Sequence, residues 1–185
     1  MASYDAGKNE IVAYILDLAR NKYKRLSKTS TFRILDVGAC DGKWADLIQG
    51  AAVYQKKLPA IRMDAVEAFV PNADQIVAKY DHVYATEIQR FVYRAGTYDL
   101  ALFGDVIEHM TPEDARRVLD YALERCKEVI VGVPFRYPQG PIYGNPYERH
   151  IQDDLTHELF MERYPGFELL LQARSDYAYY RRAKI

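Results

Sequence analysis

Residues 34–44 read Ile34-Leu35-Asp36-Val37-Gly38-Ala39-Cys40-Asp41-Gly42-Lys43-Trp44. The apolar, β-branched run from Thr31 to Val37 stops at Gly38, which predicts a buried central strand entering a tight turn. A helix is expected from about Gly42. A strand–turn–helix of this kind points backbone N–H groups at a ligand beyond the strand's carboxyl end, as nucleotide-type cradles do. The spacing differs from the dinucleotide fingerprint GxGxxG, because Cys40 replaces the second glycine and three residues separate Gly38 from Gly42. Asp36, two residues before the first glycine, would disfavour a pyrophosphate and favour a cationic ligand end.

Working outward, strand and helix signals alternate along the chain. Residues 9–26 form an amphipathic entry helix with Ile11, Ile15, Leu18, Ala19, Tyr23 and Leu26 on one face. Met63–Phe69 reads as a second strand, followed by a helix from Pro71 to about Lys79, and His82–Ala85 as a weaker third. Asp99–Phe103 and Glu128–Val133 are continuous apolar strands on either side of the clearest helix. That helix has Thr111 as N-cap, Pro112 at N1, and an apolar face of Ala115, Val118, Leu119, Ala122, Leu123 and Cys126. A further helix spans 153–164, capped by Asp153 or Asp154. Phe167–Leu171 and Tyr177–Arg181 close the sheet as an antiparallel hairpin. The fold class is therefore α/β: a Rossmann-like, seven-stranded, mostly parallel sheet with a C-terminal antiparallel hairpin and helices on both faces.

The chain has 185 residues, 49% hydrophobic and 28% charged, which fits one globular domain over 1–185 and excludes disordered and fibrous classes. Its formal net charge is −1, so no basic field holds nucleic acid, and no nucleic-acid partner is expected. Cys40 and Cys126 show no CxxC spacing, and neither a signal peptide nor an 18-residue apolar run is recognisable. No membrane association is expected, and the cytoplasm is the expected compartment. Cys40 is read as packed rather than reactive, and most of the 16 tyrosines as half-buried. The stretch 134–150 is rich in Pro, Gly and Tyr and too long for a routine connector, which predicts an ordered lid over a substrate.

Asp36-Val37-Gly38-Ala39-Cys40-Asp41-Gly42 resembles the first motif of class I S-adenosylmethionine-dependent methyltransferases. Glu67 matches the family's acid after the second strand, and Phe103-Gly104-Asp105-Val106-Ile107-Glu108-His109 its segment after the fourth, so the resemblance covers nearly the whole chain. It implies S-adenosyl-L-methionine as cofactor and S-adenosyl-L-homocysteine as product. It also implies that Gly38, Ala39, Cys40 and Gly42 approach the methionine and ribose parts, with Asp36 organising their loop. Glu67 would accept the ribose hydroxyls, and Thr86 and Glu87 stand where a Gly-Asp pair usually meets adenine. Gly104 and Asp105 would lie near the methionine end. Gly104-Asp-Val-Ile stands where N-methylating members often carry an Asn/Asp-Pro-Pro-Tyr string, which favours a hydroxyl acceptor.

On the acceptor side, His109 is the expected general base, since an imidazole suits proton removal at neutral pH, with Asp105 or Glu108 orienting it and His150 as second choice. In the lid, Tyr143, Asn145, Tyr147 and Arg149, with Glu108 beneath them, suit a small polar molecule or sugar. Asp105, Glu108 and His109 with His150, Asp153 and His157 form a weak candidate for a divalent ion, and the sequence reading assigns no metal. Two other classes stay open: a non-catalytic S-adenosylmethionine-binding partner subunit, and a nicotinamide-dependent oxidoreductase. A homo-oligomer would supply a missing pocket wall, with exposed tyrosines as anchors.

Overall fold

In the computed structural model, which describes residues 5–25, 30–55, 58–92, 98–142 and 144–184, β1 (Thr31–Val37) lies inside a seven-stranded sheet. It pairs in parallel with β2 (Ala60–Glu67) on one side and β4 (Tyr98–Gly104) on the other. With β3 (His82–Ala85), β5 (Cys126–Pro134), β6 (Glu168–Arg174) and β7 (Tyr177–Ala183), the order is β3-β2-β1-β4-β5-β7-β6. Only the β5–β7 and β6–β7 pairs are antiparallel. The order reverses between β1 and β4, so their carboxyl ends diverge and open a crevice there.

β1 is buried on both faces, which is why it reads as a continuous apolar run. On one face Ile34, Leu100, Leu102 and Ile130 pack under α1 (Lys8–Arg25), α2 (Lys43–Val53) and α3 (Val70–Ile76). On the other, Leu35, Val37, Ala101 and Val131 pack under α4 (Pro112–Arg125) and α5 (His157–Arg163). Thr111 caps α4 by accepting the Asp114 N–H at 3.2 Å. Helices therefore cover both faces, and among the described residues no helix is long and apolar enough to cross a membrane. Leu26 and Tyr143, and the side chain of Tyr23, lie outside the described residues.

Three sequence expectations shift. The helix expected at 153–164 begins only at His157, because Thr156 rather than either aspartate caps it by accepting the Leu159 N–H at 3.2 Å. Asp154 instead pairs with Arg163 at 2.6 Å. Cys126, placed on the helix face by its spacing, is the first residue of β5 and pairs with Tyr98, so α4 runs into the strand with no loop between. Tyr177, Tyr179 and Tyr180 are fully buried. Gly132 on β5 makes room for them, since a Cβ there would stand 2.7 Å from the Tyr179 ring and 2.8 Å from the Tyr177 hydroxyl.

Candidate functional site

The loop after β1 builds the floor of the crevice. Gly38 sits at φ +68°, and a Cβ on it would come within 2.6 Å of Val106, so both backbone sign and space demand glycine. Its N–H donates to the Val66 carbonyl at 2.8 Å, tying the loop to β2. Glu67, at the carboxyl end of β2, accepts the Cys40 N–H on one oxygen and the Phe69 N–H on the other, each at 2.8 Å. This fixes the carboxylate plane while leaving lone pairs on both oxygens. Burial pushes the Glu67 pKa up, against the pull of these two N–H donors.

Gly38, Ala39, Cys40 and Glu67 line one cleft with Thr86, Glu87, Gly104 and Asp105, so the structure brings these expected residues together. Asp36 and Gly42 are not on its wall. Asp36 is fully buried behind the loop, accepting the Tyr80 hydroxyl at 2.6 Å on one oxygen and finding no partner for the other. Burial raises its pKa to about 7. Gly42 starts α2 at φ +77° with its Cα turned towards Lys79. Cys40 is exposed rather than packed, at φ +49°, and partial desolvation, followed by the charge of Asp41, raises its thiol pKa to about 11.

Lys8 has no counterpart in the sequence expectations. Lys8, in the first turn of α1, is 3% exposed and places its ammonium 5.1 Å from the Trp44 ring centre. Burial pulls its pKa down, and Asp105 is the foremost group pulling it back up. Trp44 in turn fills the space over Gly104, where any Cβ would overlap the indole nitrogen. Lys8 carries no local signal, because a lysine at the start of an amphipathic helix reads as solvated.

At the other end of the cleft, the short turn Ile107–His109 meets the lid. Ile151 and Gln152 donate their N–H groups to the Glu108 carbonyl at 2.8 and 3.0 Å, and the Gln152 side chain donates to the Ile107 carbonyl at 2.7 Å. This stitching carries His150 to His109, with ring centres 4.8 Å apart. His109 Nδ1 faces the Arg149 carbonyl at 3.1 Å and His150 Nδ1 the Tyr137 carbonyl at 2.6 Å. A carbonyl only accepts, so both rings carry the proton on Nδ1 and keep a lone pair on Nε2. Burial lowers both histidine pKa values, which favours the neutral form of each ring. Glu108 is 1% exposed, and neither of its carboxylate oxygens has a hydrogen-bond partner. Burial, and then the neighbouring Asp105, drives its pKa well up; Asp105, at φ +58°, is itself raised to about 6 by burial.

The lid is ordered by its own polar groups. Asn145 accepts the Tyr147 N–H at 3.0 Å, and Gln139 donates to the Glu148 carbonyl at 2.6 Å. Asn145, Tyr147 and their neighbour Glu148 line the cleft. Arg149 does not: its side chain is exposed, and its backbone carbonyl, rather than the guanidinium, reaches the site by holding His109. Asp153 is exposed, and His157 stacks on Tyr180 with Nδ1 2.9 Å from its hydroxyl, so neither joins the His109–His150 cluster.

No protein-family model and no curated protein matches the chain in sequence. Solved structures match its backbone. The bifunctional kinase-methyltransferase WbdD aligns at TM-score 0.64 and 14% identity, covering 95% of this chain and 35% of its own. The plantazolicin methyltransferase BpumL, in complex with SAH, aligns at TM-score 0.60 and 13% identity over 96% of this chain and 85% of its own. The small RNA methyltransferase HEN1 aligns at TM-score 0.62 and 16% identity over 91% of this chain and 26% of its own. At these identities the likeness is one of fold, and the fold is that of class I methyltransferases. The chain thus spans about a third of the WbdD chain and most of the BpumL chain.

Proposed function

We propose that this chain, which has the class I methyltransferase fold, is an S-adenosylmethionine-dependent methyltransferase that methylates a hydroxyl of a small polar molecule or sugar. One observation carries the reading: Glu67, immobilised by the Cys40 and Phe69 N–H groups, lines a single cleft with Asp105 and Lys8. A carboxylate with lone pairs to spare suits a ribose diol. The Asp105 carboxylate and the Lys8 ammonium on the same wall suit an amino-acid zwitterion. Thr86 and Glu87 line the cleft beyond the end of β3, where an adenine edge would lie. When bound, S-adenosylmethionine supplies an electrophilic methyl group on a sulfonium and leaves as S-adenosylhomocysteine.

The residues of the chain then have two tasks, to align the acceptor and to manage its proton. Glu108, His109 and His150 offer a carboxylate and two neutral, lone-pair nitrogens on the acceptor side of the cleft, which suits a hydroxyl that must lose its proton. Asn145, Tyr147 and Glu148 supply polar groups from above. Glu67, Glu87, Asp105, Glu108 and Glu148 make the wall largely acidic, which disfavours a polyphosphate backbone and supports a small neutral acceptor.

Calorimetric titration with S-adenosylhomocysteine, with NADH in a parallel cell, tests the reading. Micromolar binding of the first alone, about −8 kcal/mol, is expected. Absence of S-adenosylhomocysteine binding, or binding of NADH in its place, overturns it. Methyl-labelled S-adenosylmethionine offered with a panel of sugars and small alcohols then identifies the acceptor by its O-methyl resonance.

A further inference from the structure

Glu108, His109 and His150 each present a ligand atom, and these atoms all lie within 4.8 Å of one another at the acceptor end of the cleft. Two features of the cluster point to a ligand, and a third holds it together. The Glu108 carboxylate is buried with both oxygens unpartnered, an unfavourable arrangement unless a cation or donor meets it. Both histidines spend Nδ1 on backbone carbonyls, of Arg149 and Tyr137, which fixes the rings and leaves Nε2 for coordination. Finally, the double hydrogen bond from Ile151 and Gln152 to the Glu108 carbonyl locks His150 against the turn that carries the other two.

We infer that Glu108, His109 and His150 form a binding site for one first-row divalent cation, of the manganese, iron, cobalt or zinc type. Two imidazoles and one carboxylate favour these ions over magnesium, which prefers oxygen ligands and retains its waters. Three protein ligands on one side leave coordination positions open to the cleft, as in sites where a metal takes substrate oxygens. The site rests on its own geometry; its role rests on the methyl-transfer reading. There, an acceptor hydroxyl would bind the cation through oxygen, its pKa would fall, and its proton would pass to water, leaving a metal-held alkoxide facing the donor. The histidines are then ligands and not the general base expected from the sequence, and an acceptor offering two adjacent hydroxyls would fill two open positions.

The test is a titration of the chelator-treated protein with Co²⁺, Mn²⁺ and Mg²⁺ in turn. It is followed by calorimetry, by the visible absorption of Co²⁺, and by nitrogen couplings in the pulsed electron paramagnetic resonance of bound Mn²⁺. The expected result is one Co²⁺ per chain with imidazole nitrogen couplings in the Mn²⁺ form, and affinity in the order Co²⁺ above Mn²⁺ above Mg²⁺. Glu108→Gln and His150→Ala should each weaken Co²⁺ at least about 10-fold. S-adenosylhomocysteine binding reports whether each variant is still folded. Stoichiometric S-adenosylhomocysteine binding without Co²⁺ or Mn²⁺ binding overturns the metal site and leaves the methyl-transfer reading intact. Unchanged Co²⁺ affinity in a folded Glu108→Gln protein overturns it as well. Co²⁺ binding with nitrogen couplings but no S-adenosylhomocysteine binding upholds the site and removes the function proposed for it.

Discussion

Gln152 holds the Glu108 turn from two sides: its backbone N–H donates to the Glu108 carbonyl at 3.0 Å, and its side-chain amide to the Ile107 carbonyl at 2.7 Å. Its side-chain Oε1 accepts the Tyr164 hydroxyl at 2.8 Å, so a 2% exposed glutamine bridges α5, the lid and the site. Gln152→Ala leaves the buried Tyr164 hydroxyl unpartnered and takes from the Ile107 carbonyl one of its two donors, the Met110 N–H remaining, at a cost of about 2–4 kcal/mol. For a chain of this size that is about 4–16 °C in Tm. Differential scanning calorimetry measures it. A change within 1–2 °C, roughly the noise of the method, would show that the bridge is dispensable.

Glu67→Gln separates the two uses of that carboxylate. An amide offers one accepting oxygen where the loop asks for two, so the Cys40 or the Phe69 N–H must lose its partner and face an NH₂ group instead. S-adenosylhomocysteine affinity should fall by about 10-fold or more, since one charge-assisted hydrogen bond contributes about 1.5–3 kcal/mol. Calorimetry gives the answer directly, and an affinity within twofold of the parent would remove Glu67 from the donor site.

Gly104 and Trp44 are coupled by space. A Cβ at residue 104 overlaps the indole nitrogen, and Trp44 has little freedom to retreat, being 5% exposed with its ring edge-on to Tyr179 at 6.2 Å. Gly104→Ala should destabilise by about 1–3 kcal/mol, as overpacking does. In the Trp44→Phe background the same change should cost less, because the smaller ring vacates the overlap. Denaturant melts of the four proteins form the cycle, and strict additivity would contradict the contact.

What the sequence made legible, and what it hid, follows from the range of the interactions. β1, its turn and α4 were readable because each is specified within a few residues: an apolar run stopped by Gly38, and a Thr111-Pro112 start before a periodic face. The position of Glu67 at a strand end was readable for the same reason. The start of α5 was not, because Asp153, Asp154 and Thr156 are all competent caps, and only the pairing of Asp154 with Arg163 settles which is used. Lys8 was hidden because it reaches the cleft through the packing of α1 on α2; His150 was expected at the site from its place in the lid, while the hydrogen bonds that bring it there join the Glu108 turn some forty residues earlier in the chain. Arg149 misled because its side chain carries the charge while its backbone carbonyl makes the contact.

Asp36 yields a pH dependence of definite sign. It is buried, receives one hydrogen bond from Tyr80, and its pKa rises to about 7, chiefly through burial. Between about pH 4 and pH 7 the folded protein therefore holds a proton that the unfolded chain has released. The stability this confers is fully present below the unfolded pKa and is lost as pH rises through the folded one, by as much as about 4 kcal/mol. Asp36→Asn has no such proton to lose, and its amide oxygen still accepts the Tyr80 hydroxyl. Urea melts of both proteins near pH 5 and pH 8.5 isolate the effect, since every other group titrates alike in the two. The variant should gain on the parent by a few kcal/mol between those conditions, and a difference that stays constant with pH would mean that Asp36 is already ionised in the fold.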